Sequence, residues 1–185
     1  IEKHALARNG GLAEGIILYG VAERSLKKIF KLDQFTSGPC NFPKKESIII
    51  GKKLAQSLNV KVGDNITIMN IEKMAKEQIL KAYNLTVITI FQTDFPEYDR
   101  LLAFIPIQTA DIIFEMGNSV SGLIINVDKP ENIEWTDSKL AEEMELYPYM
   151  LSTWKERHSG LLEWLTLYDI PIKLIMIFIT AVGII

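Results

Sequence analysis

SIIIGKKLAQSLNVKVGDNITI, residues 47–68, decides how the chain is read. Residues 47–50 are β-branched apart from the leading serine and predict a strand that Gly51 ends. Residues 52–58 then place Leu54, Ala55 and Leu58 on one side of an amphipathic turn or two of helix. Val60 and Val62 lead into Gly63-Asp64, a pair suited to a turn: glycine accepts a positive φ, and the aspartate can bond the turn backbone. Residues 65–69 alternate, with Ile66 and Ile68 facing inward, and predict a second strand. The unit is strand, helix, tight turn, strand.

Outward from it, the same periodicities continue. N-terminally, residues 15–21 (GIILYGV) form a short apolar run that predicts the first strand. Residues 23–30 have helical spacing, with Leu26, Ile29 and Phe30 on one side, and a Gly, Pro and Asn-containing loop spans 37–43. C-terminally, residues 71–83 fit either a helix or the tip of a hairpin, since they lie between two strand-like runs. LTVITIFQ (85–92) and residues 101–105 predict strands, the latter stopped by Pro106. Residues 107–116 predict a helix closed by Gly117. Residues 122–127 predict an apolar strand buried on both faces, and 132–144 an acidic helix. Strands alternating with helices argue for an α/β or α+β fold, with two βαβ-like repeats and a strand-rich insertion between them.

Composition narrows the function. The 185 residues are 48% hydrophobic and 23% charged with a net charge of −3, so there is no basic field to draw in nucleic acid. Lys27, Lys28 and Lys31, and Lys44, Lys45, Lys52 and Lys53, form local basic clusters that read as solvated faces. Cys40 is the single cysteine, so it has no internal disulfide partner, and it reads as a small buried or loop residue. His4 and His158 are far apart and neither sits in a metal-binding pattern. No phosphate-binding glycine loop, nucleophile elbow or zinc-protease motif occurs. The carboxylates of TDFPEYDR (93–100) could make a two-carboxylate site, but the segment reads more simply as a polar connection between strands. Nothing in the sequence requires catalysis or a cofactor.

The C-terminal third points to a membrane. Residues 153–156 (TWKE) have the spacing of a capping box, with Thr153 accepting and Glu156 reaching back. Leu161, Leu165, Tyr168 and Ile172 form one apolar stripe, and LIMIFITAVGII (174–185) carries no charge. Trp164 and Tyr168 stand where interfacial aromatics anchor a spanning helix, and Lys173 could snorkel to the headgroups. A continuous helix over residues 153–185 would reach roughly 48 Å, enough to start on a soluble lobe and end inside a bilayer. The chain opens on Ile1 and is still apolar at Ile185, and so reads as a piece of something longer, with a periplasmic core at 1–169 and the start of a transmembrane helix at 170–185.

Two stretches carry a family resemblance. Residues 47–68 resemble the signature of MacB-like periplasmic core domains in ABC transporter permeases. WKERHSGLLEWLTLYDIPIKLIMIFITAVGII (154–185) is similar to the stretch of lipoprotein-releasing (LolC/LolE type) permeases that runs into the second transmembrane span. The resemblance implies an α+β fold: a porter-like lobe of βαβ units with a β-rich, sabre-like insertion, here at about 65–105. It also implies a place on the periplasmic side of the bacterial inner membrane and no enzymatic activity in this chain. ATP would be bound by a separate cytoplasmic ATPase subunit, with a second permease subunit alongside. A lipoprotein cargo would pass to a periplasmic lipoprotein carrier that docks on a hook between residues 68 and 85, where Met74, Lys76 and Gln78 stand. Residues 71–84 lack the proline-rich character of that hook. The same fold also serves MacB-like efflux of peptides or antibiotics, and division-type permeases that regulate a cell-wall hydrolase.

Overall fold

A computed structural model describes residues 1–71, 81–127, 139–140, 150–157, 159, 171–177 and 179–180. The chain divides into two compact units, Ile1–Ile125 and Asn126–Ile185.

In the first unit six strands close a barrel in the order β1-β2-β6-β3-β5-β4. The strands are β1 (Glu2–Asn9), β2 (Leu12–Val21), β3 (Ser47–Gly51), β4 (Asn65–Asn70), β5 (Ala82–Phe91) and β6 (Leu102–Pro106). β2 with β6 and β3 with β5 are parallel, and the other four pairings are antiparallel. The helices among the described residues of this unit are α1 (Glu23–Lys28), α2 (Lys52–Ser57), α3 (Pro96–Leu101) and α4 (Ile107–Phe114), with a 3-10 turn at Leu32–Phe35.

Period-two alternation divides the apolar side chains between two cores. Ala5 and Ala7, Ile16 and Leu18, Ile48 and Ile50, Ile66 and Ile68, Leu85 and Val87, and Ala103 and Ile105 come from all six strands and fill one cluster, the barrel interior. Leu54, Ala55 and Leu58 from α2 and Ala110, Ile113 and Phe114 from α4 join it. Ile49, Phe91 and Phe104 point the other way, into a second cluster with Leu26 of α1, Leu32 and Cys40. β3 is therefore buried along its whole length. Its three isoleucines each contribute about 1.5–3 kcal/mol of burial. Phe104 is the hub of the second cluster, with ring centroids of Phe30, Tyr19 and Phe91 at 5.0, 5.7 and 5.8 Å.

Close approaches seat two helices on the barrel. A Cβ on Gly20 of β2 would lie 2.1 Å from Ala110 Cβ of α4. One on Gly51 would lie 2.1 Å from the Asp99 carbonyl oxygen of α3. Gly63 takes φ +98° in the turn before β4, where Asp64 Oδ2 accepts the Lys61 N–H at 2.7 Å.

Several sequence expectations need correction. β1 was not anticipated, and the strands close one barrel rather than two βαβ repeats with the strands of 65–105 set apart: β4, β5 and β6 each pair with strands from outside that range. Residues 93–101 are not a plain connection, because they carry α3. α4 stops at Phe114, before the expected Gly117, because Glu115 takes a left-handed conformation. Residues 122–127 form no strand and are not buried on both faces: Leu123, Ile124 and Ile125 are 85%, 54% and 58% exposed. A closed barrel leaves no free edge to pair them.

In the second unit, residues 154–157 form a short helix, α5 (Trp154–Arg157). Its start is the expected capping box: Glu156 Oε2 accepts the Thr153 N–H at 3.0 Å, and Thr153 Oγ1 accepts the Glu156 N–H at 3.2 Å. Residues 171–177 and 179–180 are helical. Ile172, Leu174, Ile175, Met176, Ile177 and Ile179 are all exposed. Among the described residues no helix is long and apolar enough to cross a membrane. The expected acidic helix lies mostly outside the described residues, as does most of the stretch from 158 to 170.

Candidate partner-binding site

The segment expected to meet a partner lies between β4 and β5. These strands are antiparallel, with Asn65 opposite Thr86 and Met69 opposite Ala82, so the two chain ends that carry the segment are held side by side. Cross-strand polar pairs on the exposed face fix the register: Thr67 Oγ1 donates to Asn84 Oδ1 at 2.9 Å, and Thr86 Oγ1 donates to Asn65 Oδ1 at 2.8 Å. Ile66, Ile68 and Leu85 turn into the barrel, so a one-residue slip would expose all three.

The C-terminal end of α4 braces these strand ends. Asn70, at the end of β4, is buried, and its Nδ2 donates to the Ile113 carbonyl at 3.3 Å. Lys81, just before β5, pairs with Glu115 at 2.8 Å. The ion pair is half exposed and adds at most about 1 kcal/mol, so its role is direction rather than stability. Gly20 seats α4 on β2, so the brace is anchored in the barrel wall. The two strand ends that flank the connection are therefore held in the barrel wall.

Met74, Lys76 and Gln78 lie outside the described residues, as do Trp164, Tyr168 and His158. Lys173 is exposed on the helical stretch 171–177. Asn70, Lys81 and Glu115 are the positioning residues that sequence reasoning missed. Each looks like an ordinary surface residue locally, and only the non-local pairing of α4 with β4 and β5 gives it a role. The carboxylates of 93–100 also separate: Asp99 is buried, with Oδ1 accepting the Thr93 N–H at 2.8 Å and the Thr93 hydroxyl at 2.9 Å, while Asp94 and Glu97 are exposed. That arrangement ties the approach to α3 rather than poising an acid and a base. Among the described residues no cluster of side chains could hold a metal ion.

The sequence profile of the MacB-like periplasmic core domain matches residues 3–143. The chain is similar to the lipoprotein-releasing system transmembrane protein LolC of Neisseria meningitidis serogroup B, 24% identical over 190 aligned positions that cover 99% of this chain and 45% of that protein. It is also similar to the corresponding LolE of Haemophilus influenzae, 25% identical over 152 positions, or 80% of this chain and 36% of that one. The chain thus spans less than half the length of these curated relatives. In fold it resembles the extracellular domain of the noncanonic ABC-type transporter YknZ from Gram-positive bacteria, with a TM-score of 0.51 at 19% identity over 74% of this chain and 66% of that one.

Proposed function

Because the chain belongs to the MacB-like periplasmic core domain family, we propose that it is the periplasmic lobe of an ABC transporter permease that releases lipoproteins from the bacterial inner membrane. The observation that carries the proposal is the similarity to a lipoprotein-releasing LolC along 99% of the chain, soluble lobe and apolar tail together. Lipoprotein release must lift acylated cargo out of a bilayer, and that work comes from ATP bound and hydrolysed by a separate cytoplasmic subunit. This chain's part is mechanical. A second permease subunit stands beside it, and the stroke reaches the lobe through membrane helices.

The exposed apolar side chains among residues 172–177 and 179 support a membrane segment at the C-terminus. A core helix hides one face, whereas here Ile172, Leu174, Ile175, Met176, Ile177 and Ile179 all stand exposed. Trp164, Tyr168 and Lys173 would sit at the headgroup level. The braced β4 and β5 ends support a docking role for Met74, Lys76 and Gln78 toward a periplasmic lipoprotein carrier. The lack of proline in residues 71–84 favours a second reading, a MacB-like efflux permease with the same fold and a different cargo.

Binding to a purified periplasmic lipoprotein carrier separates the two. Lipoprotein release predicts a complex that Lys76→Glu weakens while the barrel's melting temperature stays unchanged. No complex with the folded chain would overturn this reading in favour of efflux or hydrolase regulation.

A further inference from the structure

Lys28 of one basic cluster and Lys44 and Lys45 of the other, which read as separate solvated faces in the sequence, come together with Arg24 at one end of the barrel. Val21 and Ala22, where β2 passes into α1, line two neighbouring depressions. Arg24 and Lys28 line the first, and Lys44 and Lys45 the second, where Glu23 is the one acidic residue among the lining. All four basic side chains are exposed, and none has an ion-pair or hydrogen-bond partner among the described residues. The first depression, about 480 Å³, is otherwise largely apolar, with Val21, Phe30, Val120, Leu123 and Ile124 in its wall.

Beside these cations stands the segment that the barrel leaves unpaired. Leu123, Ile124 and Ile125 are consecutive aliphatic residues, each more than half exposed. Ser121 fixes their base, its hydroxyl accepting the Glu2 N–H and donating to the Glu2 carbonyl, both at 3.2 Å. Exposed aliphatic patches mark contact surfaces. Side chains that protrude, flanked by long flexible cations, suit a partner that accepts insertion without matching shape. A bilayer with negative headgroups does this: apolar groups enter the acyl boundary while Lys and Arg stay at the phosphates.

We infer that this end of the barrel docks on an anionic lipid leaflet, with Leu123, Ile124 and Ile125 inserted and Arg24, Lys28, Lys44 and Lys45 on the headgroups. The inference goes beyond the transport reading and holds for any cargo. Docking would fix the height and tilt of the lobe above the membrane.

The test uses the whole chain with vesicles of phosphatidylcholine, alone or with about 30 mol% phosphatidylglycerol, each basic residue being worth about fivefold in binding. The apolar tail can insert on its own, so the readouts are lipid charge and position. Arg24→Gln with Lys28→Gln should weaken binding to the anionic vesicles about 25-fold and leave binding to neutral ones unchanged. A polarity-sensitive dye on Leu123→Cys, with Cys40 buried, should shift to the blue on anionic vesicles only. Equal binding to both vesicle types, or a silent dye while the chain sediments with lipid, would overturn the inference. So would a concentration-dependent shift without vesicles, which would assign the strip to a second copy of the chain.

Discussion

Replacing Gly51 with alanine adds one methyl group where β3 meets α3. Gly51 has φ −75° and ψ 157°, a conformation open to alanine, so the backbone angles themselves exact no cost. They even favour the change by about 0.4–1 kcal/mol, through lost freedom in the unfolded chain. Against that stands the contact. The new Cβ would lie 2.1 Å from the Asp99 carbonyl oxygen and 2.5 Å from its carbonyl and α carbons, whereas ordinary contact begins at 3.4 Å. These are backbone atoms, which cannot rotate aside. α3 would have to withdraw by more than 1 Å, pulling on the Thr93–Asp99 bonds of 2.8 and 2.9 Å. Overpacking of this kind costs about 1–3 kcal/mol and a strained buried hydrogen bond about 1–3 more, so after the entropic gain the net loss is about 1–5.5 kcal/mol. For a unit of this size that lowers the melting temperature by at least about 3 °C. Thermal unfolding followed by circular dichroism reads it directly. Gly15→Ala is the control, because no atom lies within 4 Å of its added carbon; it should leave the melt unchanged or raise it slightly. A Gly51→Ala melt within about 2 °C of the parent would refute the seating of α3 on β3.

Three further outcomes follow from the same packing. Asp99→Ala leaves the Thr93 N–H without its acceptor, while the Thr93 hydroxyl keeps the Phe95 carbonyl at 3.0 Å; a loss of about 1–3 kcal/mol is expected in urea unfolding, with an unchanged slope. Phe104→Ala empties the centre of the second core, where three aromatic rings meet it, and should cost about 3–5 kcal/mol by the same assay. Burial pushes the Cys40 thiol up, with Asp33 and Glu23 adding to the shift and Lys27 opposing it. The fold therefore favours the neutral thiol. Its contribution is complete below the unfolded value of about 8.5 and is lost as pH rises through the folded one. The parent should lose more stability than Cys40→Ala between pH 8 and pH 10, and native Cys40 should alkylate far more slowly than the unfolded chain.

The parts of the fold legible in the sequence are those with an unambiguous local period. Residues 47–68 show β3, α2, the Gly63 turn and β4, and the inward residues of α2 and β4, because Leu54, Leu58, Ile66 and Ile68 repeat at spacings that admit one reading each, whereas the unbroken Ile48–Ile50 run marks a strand without showing which core each isoleucine enters. β1 escaped notice because its inward residues, Ala5 and Ala7, are small and give little contrast with Leu6 between them. α3 had a usable signal, a proline in its first turn, hidden among turn-forming neighbours. Residues 122–127 misled because apolar, β-branched composition is necessary for a buried strand but cannot supply a partner edge. Barrel closure depends on β1–β4 and β2–β6 pairings between distant residues, which no local pattern encodes. The candidate site divides the same way. Its place between two strands was readable, while the Asn70 and Lys81 bonds to the end of α4 were not.

The central claim, a lobe that passes lipoproteins outward, is tested most directly by reconstitution. The full-length permease, its second subunit and its ATPase in proteoliposomes should transfer a radiolabelled lipoprotein to a soluble carrier only when ATP is present. Exchange of residues 74–78 for a Gly-Ser segment should abolish transfer without changing the barrel's melt. ATP-driven export of a peptide with no lipoprotein transfer, or transfer indifferent to residues 74–78, would contradict the account.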